Sequence, residues 1–270
     1  MSDYISDGTC KEVSEEEASK SRLEALQLFE KRRKEVLLDS DVKLRSVGSI
    51  PVLKMAFYTV LKRYNYAIAD NLKKLYRHEC SLRAWLSVFT EMGMPDEVMV
   101  PLFWDHVEPV LFMALDLPGA VKDQVVHAVV SLQLIAEEGA SGLEKVTSWD
   151  SKRNFSWNKH FGALADKSDE LYCLRDSIDR LWSPIEAEEL RDDHGKRHHA
   201  VAQRIGVGYP KVSNMSSQEC DGLLFAYGHD KPLDIAEKIE LIDAQRRRAE
   251  DSYDAMWGYV TYLERCGLQT

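Results

Sequence analysis

The stretch that decides the fold runs from Ile235 to Leu263 and reads IAEKIELIDAQRRRAEDSYDAMWGYVTYL. Steps of four and three residues alternate along one line of positions in it: Ile235, Ile239, Ile242, Arg246, Ala249, Tyr253, Met256, Val260 and Leu263. This heptad-like spacing predicts one long helix that opens at Pro232 and packs its seam against other helices, over about 45 Å at 1.5 Å per residue. Arg246 lies on the seam, where its guanidinium needs either an inward carboxylate, which is the favoured partner, or an anion.

Apolar spacing of the same kind predicts the other helices of the chain. A capping box of Ser14 and Glu17 marks the first helix start, after a tail over 1–13 that we expect to be disordered. The predicted elements are a helix from Ser14 to about Leu38, a helix from Pro51 to about Tyr76, a short segment over 82–92, broken or kinked apolar helix over 96–118, a helix over 121–137, a long loop over 140–158 and helix again from Lys167. Glycines on both sides of a segment rich in turn residues add a small β-hairpin within 205–229.

The predicted fold class is therefore all-α, a multi-helix bundle with long N- and C-terminal helices. Two regions are expected, an N-terminal helical region over 14–140 and a C-terminal helical bundle over 159–270, which together form either two units or one continuous domain. At 270 residues, the chain is long enough for either arrangement.

Composition sets limits on the class of protein. The chain is 44% apolar and 30% charged, which is ordinary for a globular protein, and no run of apolar residues approaches the roughly 20 that span a bilayer. Five scattered cysteines without a CxxC pair favour a reducing, cytoplasmic setting. The N-terminal residues have neither the positive start nor the apolar core of a signal peptide, so we expect no signal peptide, and we also expect no membrane partner. A net charge of −10 argues against a general nucleic-acid coat protein, although it leaves room for a local basic cleft.

The densest chemistry lies in the segment from Leu190 to Ala200, LRDDHGKRHHA, which carries three of the eight histidines and three cations. A helix here would begin at a capping box of Ser183 and Glu186. On such a helix Arg191, His194 and His198 would lie within a narrow arc. Arginine binds phosphate and stabilises transition-state charge, and histidine exchanges protons near neutral pH, so the pair suits phosphate chemistry.

Two other interpretations of this segment remain open. One is a polar helix at the end of a bundle, with no catalytic role. A metal site is the third interpretation, because His194 and His198 have the i, i+4 spacing of two zinc ligands. Neighbouring Arg191, Lys196 and Arg197 oppose a cation, however, and no HExxH motif is present. We therefore expect neither a metal nor another cofactor.

Arg191, Asp192 and His198 together resemble the motif of the HEPN superfamily, in which an arginine and a polar residue precede a histidine by four to six positions. An all-helical bundle with a long helix after the motif is also similar to that family. The resemblance implies a metal-independent RNA endonuclease of toxin or phage-defence type, with Arg191, Asp192 and His198 as catalytic residues. It also implies a homodimer in which two motif copies form one cleft.

Around this motif the residues expected to contact RNA are His194, Arg197, His199, Arg204 and Arg246. The alternative function is a non-catalytic helical interaction or regulatory subunit of a defence or toxin–antitoxin complex, with a protein partner. The acidic surface and the long amphipathic terminal helices favour this alternative.

Overall fold

A computed structural model of the chain describes residues 14–37, 45, 55–94, 96–150, 157–165, 169–182, 224–225 and 233–266. In chain order, the elements are α1 (Glu15–Leu37), α2 (Met55–Met92), α3 (Asp96–Leu102), a π-helical segment (Phe103–Val107), α4 (Glu108–Glu138), α5 (Ala140–Asp150), α6 (Trp157–Ala165), α7 (Asp169–Asp179), β1 (Leu224–Phe225), β2 (Leu233–Asp234) and α8 (Ile235–Cys266). The fold is all-α, as the sequence predicts. The expected disordered tail over 1–13 lies outside the described residues.

Helix α1 begins where the capping box predicts. The Ser14 Oγ accepts a hydrogen bond from the Glu17 backbone N–H at 3.3 Å, and the Glu17 carboxylate accepts one from the Ser14 backbone N–H at 3.2 Å. These two bonds satisfy backbone donors that the first turn of a helix leaves unpaired. The prediction of a helix start at Ser14 is confirmed.

The predicted seam of α8 is buried. On α8 the apolar seam positions from Ile235 to Leu263 are each at most 4% exposed. The predicted end of the second helix near Tyr76 is wrong, because α2 continues without interruption to Met92. The polar residues after Tyr76 do not break the helix, since Glu79 is buried at 4% exposure and pairs with cations.

The apolar segment over 96–118 is helical despite its prolines, and one of its turns is a wider π-helical turn. Pro109 has no N–H to donate to the Asp105 carbonyl four residues earlier, and its ring would crowd that carbonyl in a regular α-helix. The chain instead forms a π-helical turn, in which the Glu108 N–H donates to the Phe103 carbonyl five residues back. Pro118 lies inside α4, which continues to Glu138. The expected kink is therefore a π-helical turn.

The helix predicted over 121–137 is the C-terminal part of α4, which ends at Gly139 with a φ of 61° that glycine adopts without strain. The long loop predicted over 140–158 is wrong, because α5 occupies most of it and α6 begins at Trp157. The polar surface of α5 misled the prediction. Val146 of α5 is deeply buried and packs into the core.

The predicted hairpin lies further along the chain than expected. Leu224 pairs with Asp234 and Phe225 with Leu233 in an antiparallel arrangement, so the second strand ends directly before α8 rather than within 205–229. The predicted start of the last helix at Pro232 is three residues early for the same reason, since 233–234 form strand β2.

Two apolar clusters form the core, and each draws on both predicted regions. One joins the N-terminal part of α2 and the C-terminal part of α4 to α6, α7 and the C-terminal part of α8. The other joins α1, the C-terminal part of α2, the π-helical turn and the first residues of α8. Helices of the predicted 14–140 and 159–270 regions therefore share both cores.

The helical stretch Val98–Glu138 is long and apolar enough to cross a bilayer by length and composition alone, with a mean hydropathy of 1.4 in its most apolar window. Half of that window is buried inside the fold, which is also the property of a core helix.

Candidate functional site

Most of the predicted site lies in the segment between α7 and β1, outside the residues that the structure describes. That holds for the predicted catalytic residues and for four of the predicted RNA contacts: Arg191, Asp192, His194, Arg197, His198, His199 and Arg204. Arg246 is the predicted site residue that the structure describes, and it lies in the middle of α8.

The guanidinium of Arg246 binds three carboxylates. Its Nε donates to Glu79 of α2 at 2.6 Å, its Nη1 to Glu250 at 2.7 Å and its Nη2 to Asp243 at 2.7 Å. The last two acceptors lie one helical turn to either side on α8, where i, i+3 and i, i+4 spacing brings side chains together. The favoured prediction, an inward carboxylate partner for Arg246, is confirmed, whereas its contact with RNA stays a prediction.

Burial and charge act in opposite directions on this arrangement. Burial lowers the pKa of Arg246, but its hydrogen bonds and ion pairs with Glu79, Glu250 and Asp243 outweigh burial and raise the pKa overall. Burial likewise raises the pKa of Asp243, and hydrogen bonds from Arg246 and Arg247 reverse that effect and lower it. Both groups therefore keep their charges at neutral pH, so the geometry is that of a structural ion pair.

The same carboxylates bind further cations, so the arrangement is a network. Arg83 donates to Glu79 at 2.9 Å and lies 3.9 Å from Asp243, which also accepts from Arg247 at 2.8 Å. The Arg246 guanidinium carbon lies 5.8 Å from the centre of the Tyr76 ring, within the range of a cation–π interaction. This network fixes the register between α2 and α8, which run antiparallel.

An open groove of about 420 Å³ lies beside the network. Its described lining comes from one face of α2: Arg83, Leu86, Ser87, Thr90 and Glu91. The described lining has a cation, Arg83, at one end and a carboxylate, Glu91, at the other. It therefore favours neither an anionic nor a cationic ligand.

Side chains of α4 and α8 hold the chain at the point where it leaves the described bundle before the motif. Lys122 donates to the Leu181 carbonyl at 2.9 Å, and the Gln245 side-chain oxygen accepts from the Trp182 backbone N–H at 3.2 Å. Arg248 donates to the Arg180 carbonyl at 3.2 Å. Leu181 and Trp182 are themselves buried, so the residues directly before Ser183 have a fixed position on α8.

A second group of charged residues lies where α1 contacts α2, and the sequence analysis missed it. Burial, followed by the charges of Lys74 and Arg33, lowers the pKa of His78. The His78 Nε2 is buried and has no hydrogen-bond partner within the described part of the protein. The sequence signal was the recurrence of cations in 31–34 and 73–78.

Among the described residues, no three His, Cys, Asp or Glu side chains are grouped so that they could hold a metal ion. Comparison of the chain with protein-family models, with curated proteins and with solved structures gives no significant match.

Proposed function

We propose that this protein is a HEPN-like, metal-independent RNA endonuclease whose catalytic residues are Arg191, Asp192 and His198. The observation that carries the proposal is the motif itself, in a chain whose described residues form an all-α bundle. The long helix α8 follows the motif, as the resemblance implies. The hydrogen bonds to the backbone of 180–182 support the proposal further, because catalytic residues need a rigid framework to hold them.

In the proposed reaction the 2′-hydroxyl of a ribose attacks the adjacent phosphorus atom. His198 accepts the proton of that hydroxyl, and Arg191 stabilises the charge that develops on the phosphate oxygens. Asp192 orients this pair. The bond from phosphorus to the 5′-oxygen of the next nucleotide breaks, and that oxygen takes up a proton from water. The products are therefore a 2′,3′-cyclic phosphate and a 5′-hydroxyl. The resemblance further suggests a homodimer in which two copies of the motif form one cleft. The scattered cysteines without a CxxC pair favour a cytoplasmic setting for it.

Incubation of the purified protein with a labelled RNA in EDTA tests the proposal. We expect cleavage that leaves cyclic phosphate ends, and its loss in His198→Ala and in Arg191→Ala. His160→Ala, which replaces a histidine of α6, is the matched control and should cleave like the wild type. Absence of cleavage, or equal cleavage by the wild type and His198→Ala, would contradict the proposal.

A second candidate function is a non-catalytic helical interaction subunit, and the packing of α1 favours it. Among the described residues of α1, Ala18 and Ala25 are deeply buried, whereas Leu23 is 57% exposed. Phe29 of α1 also stacks on Trp85, and the side of α1 that carries Leu23 remains open to a partner. Recovery of a stoichiometric partner that is lost on Leu23→Glu, together with absence of nuclease activity, would support this candidate.

A further inference from the structure

The surface where α1 crosses α2 is basic, although the whole chain carries a net charge of −10. Helix α2 contains six Lys and Arg residues against three Asp and Glu residues. The basic cluster is defined as Arg33 and Lys34 of α1 together with Lys73, Lys74, Arg77 and His78 of α2. A local excess of cations on an acidic protein concentrates positive potential at one place on its surface.

Contacts between the two helices bring the basic cluster together. The Tyr76 hydroxyl donates to the Val36 carbonyl at 3.2 Å, which ties the end of α1 to the middle of α2. Arg33 of α1 and Lys74 of α2 both act electrostatically on His78, so these three side chains are neighbours. Arg77 and Lys34, next to His78 and Arg33 in sequence, are exposed.

Carboxylates of the described chain neutralise the basic cluster only in part. Arg33 lies 3.5 Å from Glu30, and Lys74 lies 2.7 Å from Asp70, in pairs whose side chains are 38–59% exposed and therefore weak in water. Lys34, Lys73 and Arg77 form no ion pair with a described carboxylate.

Unused hydrogen-bond donors and acceptors lie at the same place. The Arg33 Nε and the His78 Nε2 are both buried, and neither has a partner among the described residues. A buried polar atom without a partner costs free energy. The exposed cations of the basic cluster fit an anion with several acceptor oxygens, and phosphate is such a group.

We infer that the basic cluster binds phosphodiester groups of single-stranded RNA, outside the segment that carries the motif. The choice of RNA rests on the proposed function, but the binding itself needs no cleavage. Arginine and lysine contact phosphates without regard to base, so the basic cluster would hold the RNA strand without selecting its sequence.

Fluorescence anisotropy with a labelled single-stranded RNA measures this binding. The intact chain carries His198→Ala throughout, which keeps the RNA uncleaved. In the variant Lys74→Gln with Arg77→Gln, the Kd should rise about tenfold at moderate salt. The slope of log K against log salt concentration should become shallower by about 0.7 for each lost phosphate contact, or roughly 1.4 in total.

Lys62→Gln with Arg63→Gln is the matched control, because it removes two exposed cations from the same helix, at a distance from the basic cluster. We expect a much smaller change in Kd and in slope for this control. Equal effects of the two double variants would show that only the overall charge matters and would overturn the inference. A circular dichroism melt of each variant excludes unfolding as the cause of a lost affinity.

Further arms of the experiment separate this inference from the other possibilities. Inorganic phosphate should compete only weakly, whereas unlabelled RNA should compete fully; full competition by millimolar phosphate would assign the basic cluster to the free ion. Binding to anionic lipid vesicles with no binding to RNA would overturn the inference. RNA binding without cleavage by the wild-type chain would contradict the proposed nuclease and leave the RNA-binding surface standing.

Discussion

Arg246 Nε donates to the Glu79 carboxylate at 2.6 Å across 167 residues of sequence, and this contact joins the two longest helices of the described chain. Both side chains are largely removed from water, with exposures of 15% and 6%. A buried ion pair adds little net stability over an apolar pair of the same volume, but the loss of one partner leaves the other charge stranded. The contact therefore sets the register of α8 on α2 and makes each partner costly to replace alone.

Replacement of Arg246 by methionine should destabilise the fold, because Glu79 then loses its cation from α8. We expect Arg246→Met to lower the free energy of unfolding by about 1–3 kcal/mol, measured by urea denaturation. Arg246→Met with Glu79→Leu should recover part of that loss, since no charge is then stranded. Arg247→Met is the control, because the Arg247 side chain is 71% exposed and its ion pair should contribute only about 0–1 kcal/mol. Equal effects of Arg246→Met and Arg247→Met would contradict the assignment.

His78 should make the protein less stable in mild acid. Burial, with the charges of Lys74 and Arg33, lowers its pKa in the folded protein, whereas the unfolded chain has a value near about 6.5. As the pH falls below that value, the unfolded chain binds a proton that the folded protein does not, so the free energy of unfolding decreases. The decrease ends once the pH is below the folded pKa as well.

Urea denaturation from about pH 7.5 to about pH 5, in steps of roughly half a unit, tests this effect. This range spans the pKa of about 6.5 that histidine has in the unfolded chain. His78→Gln should lose less stability over this range than the wild type. His160→Gln, on α6, should keep the wild-type dependence. If the curves of the wild type and His78→Gln run parallel, His78 does not titrate differently in the two states.

The hydroxyl of the buried Tyr253, which bonds Asn65, should contribute more to the free energy of unfolding than the hydroxyl of the exposed Tyr172. The Tyr253 hydroxyl donates to the Asn65 side-chain oxygen, and the Asn65 nitrogen donates to the Arg45 carbonyl at 3.1 Å. Tyr253→Phe removes the donor and leaves a buried acceptor unpaired, which we expect to cost about 1–3 kcal/mol of unfolding free energy. Tyr172→Phe changes an exposed tyrosine and should have almost no effect. A neutral Tyr253→Phe would mean that water reaches Asn65.

Gly142 and Gly162 should respond in opposite directions to alanine. A Cβ at Gly142 would lie 2.7 Å from the carbonyl carbon of Leu134 and still closer to its oxygen, so α5 would have to move away from α4. A Cβ at Gly162, inside α6, meets nothing within 4 Å. Gly162→Ala should therefore raise the unfolding free energy by about 0.5–1 kcal/mol.

Thermal melts of both variants check this pair of predictions. Gly142→Ala should lower the melting temperature and Gly162→Ala should raise it. A stabilising Gly142→Ala would show that the contact between α4 and α5 adjusts at no cost.

The sequence by itself determined that most of α2, α4 and α8 is helical and which side α8 buries. Each helix closes its hydrogen bonds within four residues, so the spacing of apolar residues and a cap such as Ser14–Glu17 record it locally. The same local information predicted that Arg246 needs a carboxylate. The motif of Arg191 and His198 is likewise a property of the sequence, and its geometry lies outside the described residues.

Only the tertiary structure decided which partners meet. The residues around Arg246 in the sequence do not predict its contact with Glu79. Those around His78 do not predict that Arg33 lies near it, because both contacts form only when distant helices pack. The helical state of 77–81 and of α5 depended on packing in the same way, since polar residues there looked like breaks until their partners were in place. Burial of the shared apolar faces stabilises the fold without direction, and the ionic contacts then select one register among the arrangements that burial allows.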